Sequence, residues 1–183
     1  ARWVAGDPEL GFEFEALIDR LRYPLTGLND TELREIRRIK ARVETERLPR
    51  GADPSGHVKL GPGGIADVEW TVQLAQLQFA GADRTLRTTG TLPALPSLVK
   101  AGHLSFEDAD LLRDAWVLAS SIRNGIILVS GKPSDQLPTN PLELRRLAFV
   151  LQEPSGAALI ERYRRTARRA RPVMERAVYG QDL

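Results

Sequence analysis

Residues 105–131 read SFEDADLLRDAWVLASSIRNGIILVSG. Ser105 is a helix N-cap, Asp108 stands three residues later as a capping-box partner, and Gly131 followed by Pro133 ends the element. From position 115 to 131 the only charged residue is Arg123. Leu112, Trp116, Ala119, Arg123 and Ile127 share one helical stripe, and Leu111, Ala115, Leu118, Ile122 and Ile126 a second. A helix this long and apolar on two sides belongs at the centre of a bundle. In that position Arg123 is expected to be largely buried and to need a carboxylate or carbonyl partner, as a structural ion pair or as a charge kept at a cleft.

Outward from this segment the punctuation is helical. Asp7-Pro8 opens a helix that stops before Pro24, and Asp30 caps another running to about Leu48. Residues 49–64 are a glycine- and proline-rich loop containing a short strand-like Val58-Lys59-Leu60. Helices follow at about 65–80, from Thr91 to Gly102, from Asn140-Pro141 to about Gln152, and from Ser155 to Tyr179, the last expected to bend or break at Pro172. The helix after the loop carries one stripe of Ile65, Val68, Val72, Ala75 and Phe79 and another of Trp70, Leu74 and Leu77, so it is expected to lie between neighbours. About seven helices and no alternating strand give an all-α class, a helical bundle with a glycine-rich loop.

Composition narrows the chemistry. The 183 residues are 42% hydrophobic and 27% charged, with 26 basic against 24 acidic side chains, no cysteine and two histidines. Thiolate chemistry, disulfides and histidine-rich metal sites are thereby excluded. No apolar run approaches the length of a membrane span. The chain begins Ala1-Arg2-Trp3 without a signal peptide, as expected for a piece of a longer cytoplasmic protein.

Several motifs compete for a function. Gly61-Pro62-Gly63-Gly64-Ile65-Ala66 mimics a dinucleotide fingerprint, with Asp83 twenty residues after Gly63, but the strand before it is too short and none follows. A glycine-rich loop feeding a helix N-terminus remains, able to hold a phosphate or carboxylate with help from Lys59, or else to act as a tight turn under neighbouring helices. Asp67 lies in the first helical turn and suits the dipole. Glu69 joins Gln73 and Gln76 in a polar ridge and is the better candidate for a functional group. Asp108-Ala109-Asp110 spells a magnesium pair, yet residues two apart on a helix point about 200° apart. Gly125 to Lys132 has the wrong spacing for a phosphate loop. In the last helix seven arginines between Arg162 and Arg176 face two glutamates, with Tyr163, Ala167, Ala170, Met174 and Ala177 as the inward stripe. Arg164, Arg165, Arg168 and Arg169 there, and Arg37 and Arg38 on the second helix, are candidate partner surfaces. Nucleic acid is disfavoured, since no aromatics interleave the basic residues.

The stretch from Lys59 to Leu74, KLGPGGIADVEWTVQL, resembles the signature of the glutamine synthetase adenylyltransferases, matching at Lys59, Gly63, Gly64, Ile65, Asp67, Val68, Glu69, Trp70 and Gln73. Residues 36–44, 87–95 and 163–171 are similar to actinobacterial members. The resemblance implies that residues 1–183 form a single helical domain following a nucleotidyltransferase domain absent from this chain, in the C-terminal, adenylylating half. It implies a parent enzyme that transfers AMP from ATP, with magnesium, to a tyrosine of glutamine synthetase under control of the PII signal protein. This fragment is expected to be inactive alone, to carry no catalytic residue, metal or cofactor, and to face the nucleotide through Lys59, Gly63, Gly64 and Glu69. Asp67 and Arg123 would be structural or cleft charges. A stand-alone protein-interaction module and a helical nucleic-acid binder are the alternatives.

Overall fold

The computed structural model describes residues 3–180, and among them seven α-helices: α1 (Pro8–Arg22), α2 (Asp30–Glu46), α3 (Ile65–Phe79), α4 (Thr91–Lys100), α5 (Phe106–Ser130), α6 (Pro141–Val150) and α7 (Gly156–Tyr179). The described residues include no strand. Val58-Lys59-Leu60 forms turns instead, and the one β-type pairing among the described residues is an isolated antiparallel bridge between His57 and Gln136.

The caps explain most of the boundaries. Asp7 accepts from the backbone N–H groups of Glu9 and Leu10, and Gly131 and Gly180 close α5 and α7 in the left-handed conformation. Two expectations shift by a residue or a partner. Asn29, not Asp30, caps α2, in a complete capping box with Glu32. Ser105 does accept from the Asp108 N–H at 3.0 Å, but the Asp108 carboxylate turns away to Arg176, 2.7 Å distant. α7 runs unbroken through Pro172. Pro172 withdraws one donor and sits next to buried Val173 and Met174, so side-chain packing holds the helix past the missing bond.

α5 is the central helix, packed against α3, α4, α6 and α7, and α3 is held between α4, α5 and α7. One core forms where α3, α4, α5 and α7 meet, around Val68, Val72, Leu95, Leu98, Leu112 and Val173. A second joins α5, α6 and α7 through Ile122, Ile126, Leu147, Leu159 and Tyr163, with Val58 and Leu137 brought in from loops. A third, smaller cluster of Leu74, Met174 and Val178 seats α2 through Leu33 and Ile36. Ile127 and Ala177, placed on apolar stripes, are exposed. α1 contributes no buried residue. It is anchored by Tyr23, whose ring lies in the first core with the guanidinium carbons of Arg22 and Arg87 each 5.2 Å from its centroid.

Candidate functional site

The glycine loop enters α3 through a turn whose donors are occupied within the chain. Gly61 N–H donates to the His57 carbonyl at 2.8 Å, Gly64 to Gly61 at 2.9 Å, Ile65 to Val58 at 3.0 Å and Ala66 to Lys59 at 2.9 Å. Gly63 N–H donates to Asp67 Oδ2 at 2.7 Å. Gly63 has φ +72°, and a Cβ there would lie 2.0 Å from the Ala167 carbonyl oxygen of α7. Only glycine allows both this backbone turn and this approach. Gly63 and Gly64 therefore hold a tight turn under α7, and their N–H groups are not available to an outside anion. Of the four candidates for facing a nucleotide, Lys59 is exposed, Glu69 is half-buried, and the two glycines are buried. Lys59 reaches neither Asp67 nor Glu69.

Asp67 organises the junction beneath the loop. Its Oδ1 accepts from Lys40 Nζ at 2.5 Å, and its Oδ2 accepts from Arg171 at 3.0 Å as well as from Gly63. Lys40 is 1% exposed and also binds Glu44 at 2.8 Å. Arg171 bridges Glu44 and Glu175, both at 2.6 Å. Two cations and three carboxylates thus fasten α2, α3 and α7. Burial raises the Glu44 carboxyl, but hydrogen bonds from Arg171 and Lys40 outweigh it and hold it below the usual range. Burial followed by the Glu44 charge pushes the neighbouring Tyr179 hydroxyl up to about 12. In sequence terms Lys40–Glu44 and Arg171–Glu175 are i,i+4 pairs, a signal that was there to find. Their convergence on Asp67 is a tertiary event.

The loop is also pinned from the far side. Val58 N–H donates to the Asp135 carbonyl at 2.8 Å and Leu137 N–H to Gly56 at 2.9 Å. His57 is buried, and its Nδ1 accepts from Leu60 N–H at 3.0 Å, which requires the neutral ring. Burial lowers its pKa. Arg123, expected to be largely buried, is 39% exposed and donates through Nε to Asp135 Oδ1. It leaves the apolar run by extending toward the 132–137 loop.

A cleft of about 520 Å³ separates residues 53–62 from α7, lined by Asp53, Pro54, Pro62, Arg164, Ala167 and Arg168. Arg164 pairs with Asp53 at 3.2 Å and Arg168 with Glu161 at 3.6 Å, while Arg165 and Arg169 are exposed. Arg38 pairs with Glu35 on the surface of α2. Arg37 does not serve as a free surface charge, since its Nε donates to the Val178 carbonyl at 2.6 Å and ties α2 to the end of α7. In the polar ridge, Gln76 is buried and its amide straps the Leu86 and Thr88 carbonyls at 2.9 and 2.8 Å. Gln73 lines a separate cleft of about 300 Å³ with Arg22, Tyr23, Thr89 and Thr91.

The chain is similar to known proteins over nearly its whole length. A sequence model of the family described as GlnD PII-uridylyltransferase matches residues 37–178, more than three quarters of the chain. The chain belongs to that family. It is 54% identical over 182 residues to the bifunctional glutamine synthetase adenylyltransferase/adenylyl-removing enzyme of Streptomyces coelicolor, and 52% identical over 183 residues to the protein of the same name in Nocardia farcinica. The Mycobacterium tuberculosis protein of that name is 48% identical over 182 residues. Each match covers 98% of this chain and 18% of the relative. The resemblance carried by residues 59–74 thus extends across the chain, which spans about a fifth of the length of these relatives.

Proposed function

We propose that this chain is the helical C-terminal domain of the adenylylating half of a glutamine synthetase adenylyltransferase. The observation that carries the reading is the 48–54% identity across 98% of the chain to proteins of that name, of which it makes up 18%. The bundle supports a neighbouring nucleotidyltransferase domain, where AMP would pass from ATP to a tyrosine of glutamine synthetase with magnesium. The residues present do not fit that metal. Among the described residues no three His, Cys, Asp or Glu side chains are grouped to hold an ion, and Asp108 and Asp110 are directed to Arg176 and Arg113. No catalytic step is therefore assigned to this chain. Lys59 and Glu69, which present side chains at the surface of the signature segment, are the residues proposed to face the nucleotide-binding side. Glutamine synthetase and the PII signal protein are the proposed partners, with Arg165 and Arg169 of α7 and the adjoining Arg164 and Arg168 as the basic surface they would meet. The compartment proposed is the cytoplasm.

Incubation with ATP, magnesium and glutamine synthetase tests both halves of this reading. The isolated chain should incorporate no AMP above a blank without enzyme, and the full-length polypeptide should incorporate it readily. Transfer by the isolated chain would overturn the supporting role. A full-length polypeptide that is folded but transfers none would overturn the adenylyltransferase assignment.

A further inference from the structure

Among the described residues, one apolar face of α1 is left uncovered. Leu10, Phe14, Leu17 and Leu21 recur at spacings of four, three and four residues, which places them within about 60° of one another around the helix. They are 66%, 53%, 63% and 77% exposed. Such a 3.5-residue repeat is the seam a helix presents to another helix. Trp3 folds back against Gly11, to one side of the seam, and leaves it open. The base of α1 is fixed, because Tyr23 lies in the core and the carbonyl of Pro24 is pressed against Gly81. The face is thus held in a set direction beside the cleft lined by Arg22, Gln73 and Thr89.

We infer that this seam docks into an apolar, basic-rimmed helical groove supplied by the same polypeptide outside these 183 residues. The inference rests on the adenylyltransferase reading and names the contact by which the bundle joins its neighbour. Two observations select the occupant. The family match begins at residue 37, beyond α1, whereas the adenylyltransferase relatives match over 98% of the chain and have about four fifths of their length outside it. α1 therefore belongs to what this chain shares with those long proteins. Residues 7–22 also carry five acidic side chains against two arginines, so pairing with the α1 of a second copy would bring like charge to like charge.

The chain has no cysteine, which makes single-thiol reporters clean. Leu17→Cys and Leu21→Cys are made, with exposed Arg146→Cys on α6 as control, and N-ethylmaleimide labelling of each position is followed by peptide mass. In the isolated chain positions 17 and 21 should label as fast as 146 at every protein concentration. In the full-length polypeptide they should slow at least tenfold while 146 does not. Equal labelling in both forms overturns the inference. So does slow labelling in the isolated chain, through a second copy if it depends on concentration and through the chain's own folding if it does not. AMP transfer measured on the same full-length sample separates failure of the functional reading from failure of the contact.

Discussion

Lys40 and Arg123 reverse the places their sequences suggest. Arg123 is the only charge in a 17-residue stretch, yet its side chain is 39% exposed with one carboxylate partner. Lys40 stands among arginines and glutamates on α2, yet is 1% exposed and held by two carboxylates. A long cationic side chain can leave an apolar surface by running its stem along it. A lysine on a polar helix has no such choice once the helix is laid across two others. Charge density along the chain therefore says little about which cation is buried. The position of its neighbours in space decides.

The comparison implies very different costs of deletion. Asp67→Ala leaves Lys40 and Arg171 facing each other and frees the Gly63 N–H. Breaking a buried pair in this way costs about 3–5 kcal/mol, or roughly 10 °C in melting temperature for a domain of this size. Thermal unfolding of the isolated chain measures it. A loss no larger than that of a surface pair would break the comparison and move the junction from structure to some other role.

Arg123→Ala is expected to cost about 0.2–1 kcal/mol, the range for a solvent-screened pair. A loss of several kcal/mol in the same unfolding experiment would mean that the Asp135 side of the loop depends on this contact as strongly as α2 depends on Asp67. A double substitution of Arg123 and Asp135 compared with the two singles sharpens the figure, because the coupling term isolates the pair.

What the sequence disclosed and what it hid follow the same division. Asp7-Pro8, Ser105, Asn140-Pro141 and Gly131 mark helix ends because caps act within a few residues, and the apolar runs of α3 and α5 place those helices at the centre for the same local reason. The signature around Lys59 to Gln73 marked the glycine loop and the start of α3. It did not show that Gly63 and Gly64 are pressed under Ala167, since that contact joins segments about a hundred residues apart. Pro172 failed as a breaker because buried Val173 and Met174 supply packing that local propensity does not include. The acid–base junction was hidden in one respect only: Lys40–Glu44 and Arg171–Glu175 are local pairs, whereas Asp67 joins them across 27 and 104 positions.

The smallest expected effect lies on the Arg123 side of the comparison and appears as a slope. His57 is buried beside the loop that Asp135 pins, and burial lowers its pKa from 6.5, with Asp135 raising it and Lys59 and Arg123 lowering it further. The neutral ring accepts the Leu60 N–H. In the unfolded chain the ring takes up a proton near pH 6.5, whereas in the folded chain it does so only at lower pH. The unfolded state therefore binds more protons in that window, and stability must fall as the pH drops from about 7 toward the folded pKa. Asn is a suitable replacement, since its side-chain carbonyl can accept the same N–H and does not titrate. His57→Asn should flatten the dependence of melting temperature on pH between 7 and 5.5, whatever it does to the value at pH 7. Glu44 of the Asp67 junction leaves this window untouched, because hydrogen bonds from Arg171 and Lys40 hold it below its ordinary range. If the slope persists unchanged in the variant, another group titrates there, and the assignment of a neutral His57 to the hydrogen bond with Leu60 is wrong.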